Sequence, residues 1–379
     1  MEQKNVLLLI QPAYPERIQG IARFAKSHGW VLTIVDRLAR FPRGWRGDGA
    51  LVTLRGNAET NRFVRGLVRR GVPVVDLTFN HPEIALPRVS GDHAAFGRLA
   101  REHFEGQNFR NFAWFSTEWS HVHELRYAGF ACGVKQGAER WVLSELVDAA
   151  QIDDWRLFLK IVGKRLVAAP KPLAVLTYDD ADAAKILSAA VAAGLRVPED
   201  VAIMGIGNDR VVCENQSVPL SSVDHDLDAS GYEGAALLER LMDGERLGKD
   251  TRFIPPRGIV VRRSTDTLAA EDPLLAAALK EIGARLPTSF GVEDVAAALG
   301  IPRTRLDRLF AEKFARSVGK EIVRQRVARA KKLLRETDRP IKEIAALCGF
   351  CNAGYLTNTL RKETGRTPKS FREAEETGS

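Results

Sequence analysis

IKEIAALCGFCNAGYLTNTLRKETGRTPKSFR, residues 341–372, reads as a short helix, a tight turn and a second helix followed by a basic tail. Ile341, Ile344, Ala345 and Cys348 recur at helical spacing and give the first helix one apolar face. Gly349 ends it, because glycine tolerates the left-handed backbone at a helix C-terminus. The second helix is expected from about Asn352 to Lys362, with Leu356 and Leu360 turned inward. Its other face carries Thr357, Asn358 and Arg361, donors and acceptors suited to base edges and phosphates. Pro368 closes the tail. The pattern is that of a helix-turn-helix.

The same pattern occurs upstream. VEDVAAALGIPRTRLDRLF (292–310) aligns with IKEIAALCGFCNAGYLTNTL (341–360), pairing Val292 with Ile341, Val295 with Ile344, Ala296 with Ala345 and Gly300 with Gly349. One extra residue in the second copy then brings Leu306 onto Leu356 and Phe310 onto Leu360. Between the copies, Val323, Val327, Ala330 and Leu334 mark the apolar side of a long basic helix over 322–334. Two reading helices on a rigid connector can enter successive major grooves, which recur about 34 Å apart on one DNA face. Charge agrees: residues 303–372 hold 19 Lys and Arg against 7 Asp and Glu, a net +12 that exceeds the +8 of the whole chain. A basic end beside a mildly acidic body implies a polyanionic partner for that end. An all-α domain for protein contacts is the competing reading.

Residues 5–266 have a different texture. Apolar runs at 6–10, 31–35, 49–54, 72–77, 112–116, 173–178 and 201–207 read as strands, with strand character again at Ser221–Val223. Amphipathic stretches between them read as helices over 17–28, 57–70, 95–105, 124–135, 181–193 and 231–243. Continuous apolar strands alternating with helices mean parallel sheets covered on both faces, here too many strands for one modest sheet. Two similar lobes are expected. Ligands of such sheets lie beyond the carboxyl ends of the strands. The polar windows there are 11–17, 53–57, 76–81, Asp92, 116–118, 179–180 and 208–209.

Composition narrows the class. The amino terminus carries only VLLLI, too short for a signal peptide or a membrane span, and four cysteines lack framework spacing. A cytoplasmic chain without membrane attachment is expected. Cys348 and Cys351 form a CxxC, but no second pair or nearby histidine completes a zinc set. His121 and His123 beside Glu124 are read as cleft lining. No GxSxG, Walker loop or post-strand GxGxxG is present. No cofactor or metal is expected, and Asp92, Asp179 and Asp180 are read as hydrogen-bond acceptors and not as an acid/base pair. A sugar-acting enzyme and a constitutive DNA-binding protein with a degenerate cleft are the alternatives.

Gly349–Phe350 and GRTPKSFR (365–372) resemble the signature of the AraC family of transcriptional regulators. That resemblance places Arg303, Thr304, Asp307 and Arg308 on the first reading helix and Gly354, Thr357 and Asn358 on the matching face of the second, beside Arg361. The small residues at Cys351–Gly354 leave the second helix mostly a positioning role and the first more of the base readout. The front of the chain resembles periplasmic-binding-protein-like effector domains as in LacI-type regulators. Its marks are Gly47–Asp48–Gly49, VPEDVAIMGIGN (197–208), Leu220–Val223 and IPPRGIVVRRSTD (254–266). The combination resembles the XylR type. It implies a two-lobed α/β effector domain (1–266), a linker (267–273) and an all-α double helix-turn-helix DNA-binding domain (274–373). It also implies double-stranded promoter DNA, RNA polymerase, a homodimer and a small-molecule effector, a monosaccharide such as a xylose-like sugar. Arg126, in ELRYAGF, matches an arginine that clamps sugar hydroxyls, a task its planar fork suits. Tyr14, Asp92, Asp179, Asp180 and Asn208 complete the implied cleft, while Gly207 stands where many relatives carry a sugar-binding aspartate. Trp114, Trp119 and Phe79 are candidates to stack on a ring.

Overall fold

A computed structural model describes residues 3–371 except 36–41, 43, 55–57, 135–136, 246–250, 267–271, 315, 338 and 366. Most of the expected linker, the end of the 53–57 window, Arg366 and Arg372 therefore lie outside the described residues. The chain divides into two compact units, residues 1–267 and 268–379.

The first unit opens with β1 (Lys4–Leu9), α1 (Pro15–His28), β2 (Trp30–Ile34), β3 (Gly49–Val52), α2 (Ala58–Arg69), β4 (Val74–Asp76) and β5 (Arg88–Gly91). It continues with α3 (His93–Gly106), β6 (Asn111–Ser116), α4 (His121–Ala131), β7 (Glu139–Val142), α5 (Leu143–Leu146) and α6 (Trp155–Ala168). Then come β8 (Leu173–Thr177), α7 (Asp180–Ala192), β9 (Val201–Ile206), α8 (Arg210–Glu214), β10 (Ser221–Asp224), α9 (Leu227–Met242), β11 (Thr251–Ile254) and β12 (Gly258–Val260). The strands form two six-stranded sheets, ordered β11-β5-β4-β3-β1-β2 and β12-β10-β9-β8-β6-β7. All pairings are parallel except β12 on β10. The central runs Val6–Leu9, Ala50–Val52, Leu173–Leu176 and Val201–Met204 are fully buried, as strands covered on both faces must be.

Two lobes result, and the chain crosses between them three times: after β5, after β10, and between β11 and β12. In each lobe a helix pair approaches closely through glycine. A Cβ on Gly231 (α9) would lie 2.2 Å from the carbonyl oxygen of Arg17 (α1), and one on Gly97 (α3) 2.1 Å from that of Arg126 (α4). The backbones that carry these two arginines are thereby fixed against their own lobes.

The sequence reading omits β5, β7, β11, β12 and α6. β5 contains the buried Arg88, whose Nε donates to the buried Asp76 carboxylate at 3.2 Å, so a core strand carries a charge. β7 and the outer strands β11 and β12 lie at sheet edges and are only partly buried, which removes the apolar run.

The second unit is helical: α10 (Pro273–Arg285), α11 (Val292–Ala298), α12 (Arg303–Phe314), α13 (Val318–Glu336), α14 (Ile341–Leu347) and α15 (Ala353–Thr364). It holds two hydrophobic cores. One gathers Leu275, Ile282, Val295, Leu306 and Phe310, the other Ile344, Cys348, Phe350, Leu356, Leu360 and Phe371. α13 belongs to both, giving Val318 and Ile322 to the first core and Val327, Ala330 and Leu334 to the second. The aligned pairs of the repeat occupy matching places. Leu306, Phe310, Leu356 and Leu360 are fully buried, and Gly300 and Gly349 both turn with positive φ, +64° and +71°.

Candidate functional site

Between the lobes of the first unit, the carboxyl ends of both sheets face a narrow cavity. Its wall includes Tyr14, Arg17, Thr78, Asn80 and Ser90 from the first lobe and His93, Arg126, Tyr178, Asp179 and Gly207 from the second, with His225 and Leu227 at a crossover. The enclosed volume is about 50 Å³, room for a few waters and less than a sugar ring occupies. The lobes already touch at the rim: Ser120 Oγ donates to Asn80 Oδ1 at 3.0 Å, and Phe79 meets His121 edge to face at 5.1 Å.

Arg126 is the centre of this wall. Helix α4 points it inward, 5% exposed, where Nε donates to His93 Nδ1 at 3.2 Å and the guanidinium also bonds the Tyr178 carbonyl. Its guanidinium carbon lies 4.6 Å from the Tyr178 ring centre, and the other face of that ring stacks on His123 at 3.7 Å. With Nδ1 accepting from Arg126, His93 carries its proton on Nε2 and donates to Ser90 Oγ at 3.1 Å. Burial pushes the His93 pKa well down, and Arg126, His225, Arg17 and His121 push it the same way.

Of the six cleft residues expected from sequence, the cavity wall holds Tyr14, Arg126 and Asp179. Asp92, Asp180 and Asn208 are off it, each engaged in the scaffold. Asp92 caps α3 by accepting from Ala95 N at 2.9 Å. Asp180 lies under the β9 end, accepting from Ser222 Oγ at 2.6 Å and Asp209 N at 2.7 Å, and burial still raises its pKa to about 6. Asn208 accepts from Arg262 at 2.9 Å and donates to Asp224 at 3.3 Å. Asp179 itself caps α7, accepting from Asp182 N at 2.9 Å; burial, then the Asp182 charge, raises its pKa. The stacking candidates also shift: Trp114 is fully buried, and the tyrosine rings on the wall are Tyr14 and Tyr178. Arg17, Thr78 and Asn80 fall inside the polar windows that precede or follow strands. His93, Tyr178 and His225 sit one residue beyond a strand or window edge, and position was their only signal.

In the second unit α12 presents Arg303, Thr304, Arg305 and Arg308 as exposed and Asp307 as half-buried. Arg303 is tied to Glu293 and, at 3.2 Å, to Asp307, while Arg308 stands 3.7 Å from Glu312. These ion pairs are exposed, so their partners exchange for phosphate at little cost. On α15 Gly354, Asn358 and Arg361 are exposed, and the Thr357 hydroxyl bonds back to the Ala353 carbonyl at 2.8 Å. Asn352 caps α15 by accepting from Tyr355 N at 2.8 Å, which explains the small-residue start, and Tyr355 stands half exposed beside it. On α13 Glu321, fully buried, holds Arg316 at 3.1 Å and Arg324 at 2.8 Å. No helix among the described residues is long and apolar enough to cross a membrane.

A family model for a periplasmic-binding-protein-like domain matches residues 101–265, and one for a helix-turn-helix domain matches 295–374. The chain is 26% identical over 385 residues to the xylose operon regulatory protein of Escherichia coli K12, covering 97% of this chain and 96% of that protein. It is 28% identical over 302 residues to the xylose operon regulatory protein of Haemophilus influenzae, covering 76% and 74%. A solved xylose-binding transcription activator shares the fold across 99% of both chains, with a TM-score of 0.62 and 22% identity. A transcriptional regulator solved with cellobiose matches 70% of this chain and 84% of its own, with a TM-score of 0.56 and 21% identity. The chain thus joins a periplasmic-binding-protein-like domain to a C-terminal helix-turn-helix domain, and over nearly its whole length it is similar to xylose operon regulatory proteins.

Proposed function

We propose that the chain is a sequence-specific DNA-binding transcription regulator controlled by a sugar-like ligand held between the lobes of its first unit. One observation carries this reading. A two-lobed cleft centred on Arg126 shares a chain with two helix-turn-helix units whose cores are threaded by one helix, α13. At about 1.5 Å per residue its 19 residues span about 28 Å, a suitable spacer for reading helices entering successive grooves. Arg303, Thr304, Asp307 and Arg308 would read or position the first groove, with Arg305 beside them. Gly354, Thr357, Asn358 and Arg361 would take the second. The ligand would part the lobes at the Asn80–Ser120 contact and reclose them around itself, shifting a population of conformers. The regulator would act in the cytoplasm as a homodimer, engage RNA polymerase at its promoter and leave its ligand chemically unchanged.

The narrowness of the cavity favours one rival, a constitutive regulator whose cleft no longer takes a ligand. A two-part experiment separates them. Duplexes selected from a randomised pool should be protected over two adjacent major grooves. Arg308→Ala should weaken that binding by about 1–3 kcal/mol if it reads a base edge. Thermal shift against pentoses, hexoses, deoxy sugars and sugar acids should then find a ligand whose effect on DNA affinity Arg126→Lys abolishes. Protection of a single groove would defeat the tandem reading; DNA binding with no ligand response would leave the constitutive one.

A further inference from the structure

Resting on the effector reading above, we infer that the cleft selects an anionic sugar derivative, a sugar acid or sugar phosphate, over the neutral sugar. Among the described residues that line the cavity, Arg17 and Arg126 are both present, and Asp179 is the only carboxylate. Both arginines are 5% exposed and come from opposite lobes, so they converge on whatever lies between. Asp179 is partly engaged in capping α7. Asp180, the neighbouring acid, is turned into the protein toward Ser222 and Asp209. Gly207 offers no side chain, and a Cβ there would sit 3.2 Å from Asp180 Oδ2 at a φ of +135°.

The chemistry of recognition follows from this inventory. A hydroxyl is donor and acceptor at once, and a site for a neutral sugar must supply both, commonly through carboxylates. A ligand carboxylate or phosphate needs only donors, and two guanidiniums supply them in the fork geometry that such groups match. The remaining polar wall, Thr78, Asn80 and Ser90, serves the polyhydroxylated part.

Matched pairs of ligands test this on the full-length protein by calorimetry. The panel is xylose with xylonate, glucose with gluconate, glucuronate and glucose 6-phosphate, and galactose with galacturonate. At least one anion should bind about tenfold or more tightly than its neutral parent, the advantage shrinking as salt rises. Arg17→Gln should reduce that preference toward parity while leaving the melting temperature of the unliganded protein close to wild type. Should the variant fold poorly, the pairs measured on the wild-type protein still decide between anion and neutral sugar. Xylonate or gluconate binding without glucose 6-phosphate assigns a carboxylate, and the reverse assigns a phosphate. A neutral sugar that binds as well as its acid overturns the inference and leaves the effector reading intact. Binding by no member of the panel overturns both.

Discussion

Asp76 and Arg88 pair inside the first lobe, both nearly inaccessible, and each bond they make tightens the rim loop before β5. Asp76 Oδ1 also accepts from Thr78 Oγ1 at 2.8 Å, and Arg88 reaches the carbonyls of His81 and Ile84. Removing one partner strands the other's charge in the core, so Asp76→Ala should cost about 3–5 kcal/mol. The double variant Asp76→Leu with Arg88→Met should recover most of that loss in urea unfolding; an additive loss would mean the loop bonds matter more than the pair. His103 gives a pH signature. Burial depresses its pKa to about 4, so the native state excludes a proton that the unfolded chain takes up near 6.5. The stability it contributes is complete above 6.5 and is lost as pH falls toward 4. His103→Gln should therefore lose about 2 kcal/mol less than wild type between pH 7.5 and about pH 5; parallel profiles would assign the acid lability elsewhere. At this scale the sequence was partly legible. Tyr14 falls on the cavity wall because its strand-end position constrains it, whereas Arg126, expected from the resemblance, reaches the wall from inside α4. Asp180 and Asn208 share a strand-end position yet point into the scaffold, because which way a side chain turns depends on Ser222 and Arg262, far away in sequence.

At the scale of elements, the two turns of the repeat are chemically alike but differently loaded. Gly300 turns at φ +64° in open space, whereas a Cβ on Gly349, at φ +71°, would lie 2.6 Å from the carbonyl oxygens of Leu286 and Thr288. Arg326 donates to that same loop through the carbonyls of Thr288 and Phe290, so the second helix-turn-helix is docked on the segment that leaves α10. Gly300→Ala should thus cost only the left-handed strain, about 1–2 kcal/mol. Gly349→Ala should cost at least about 1 kcal/mol more, and lose DNA binding more than Gly300→Ala does. Equal losses in thermal unfolding would show that the 286–290 loop yields. The repeat made these helices readable, since each copy checks the other's register. α13 begins at Val318, earlier than its apolar stripe suggests, because Ser317 caps it by accepting from Lys320 N. α6 is hard to see in the sequence although Phe158, Val162 and Leu166 recur at helical spacing, because Trp155 and Val167 stand exposed and blur its stripe.

At the scale of the molecule, the two-lobed architecture was legible from the number of buried strands, but the membership of each sheet was not. β11 and β12 are neighbours in sequence and lie in different sheets, since each is chosen by the edge it meets, β5 or β10. Those crossings make the lobes hinge-coupled, and the Asn80–Ser120 bond and the small cavity describe a closed conformer. A ligand must first meet an open conformer, so its apparent affinity is reduced by the fraction of molecules that are open. If cleft closure is what the DNA-binding unit senses, the two binding events are linked, and linkage is reciprocal. Let a ligand that stabilises the protein change its affinity for a selected duplex by some factor. Saturating duplex should then change the affinity for that ligand by the same factor, expected within about 5–150-fold for an allosteric coupling. Ser120→Ala, which removes the rim bond and the Ser120 bond to His123 Nδ1 at 2.7 Å behind the Tyr178 ring, should alter ligand affinity in the presence and absence of duplex by equal factors. Calorimetry with and without duplex measures all four affinities. A ligand that binds the cleft and leaves duplex affinity unchanged would break the link between the two units, and the chain would then be a DNA-binding protein whose cleft serves some other purpose.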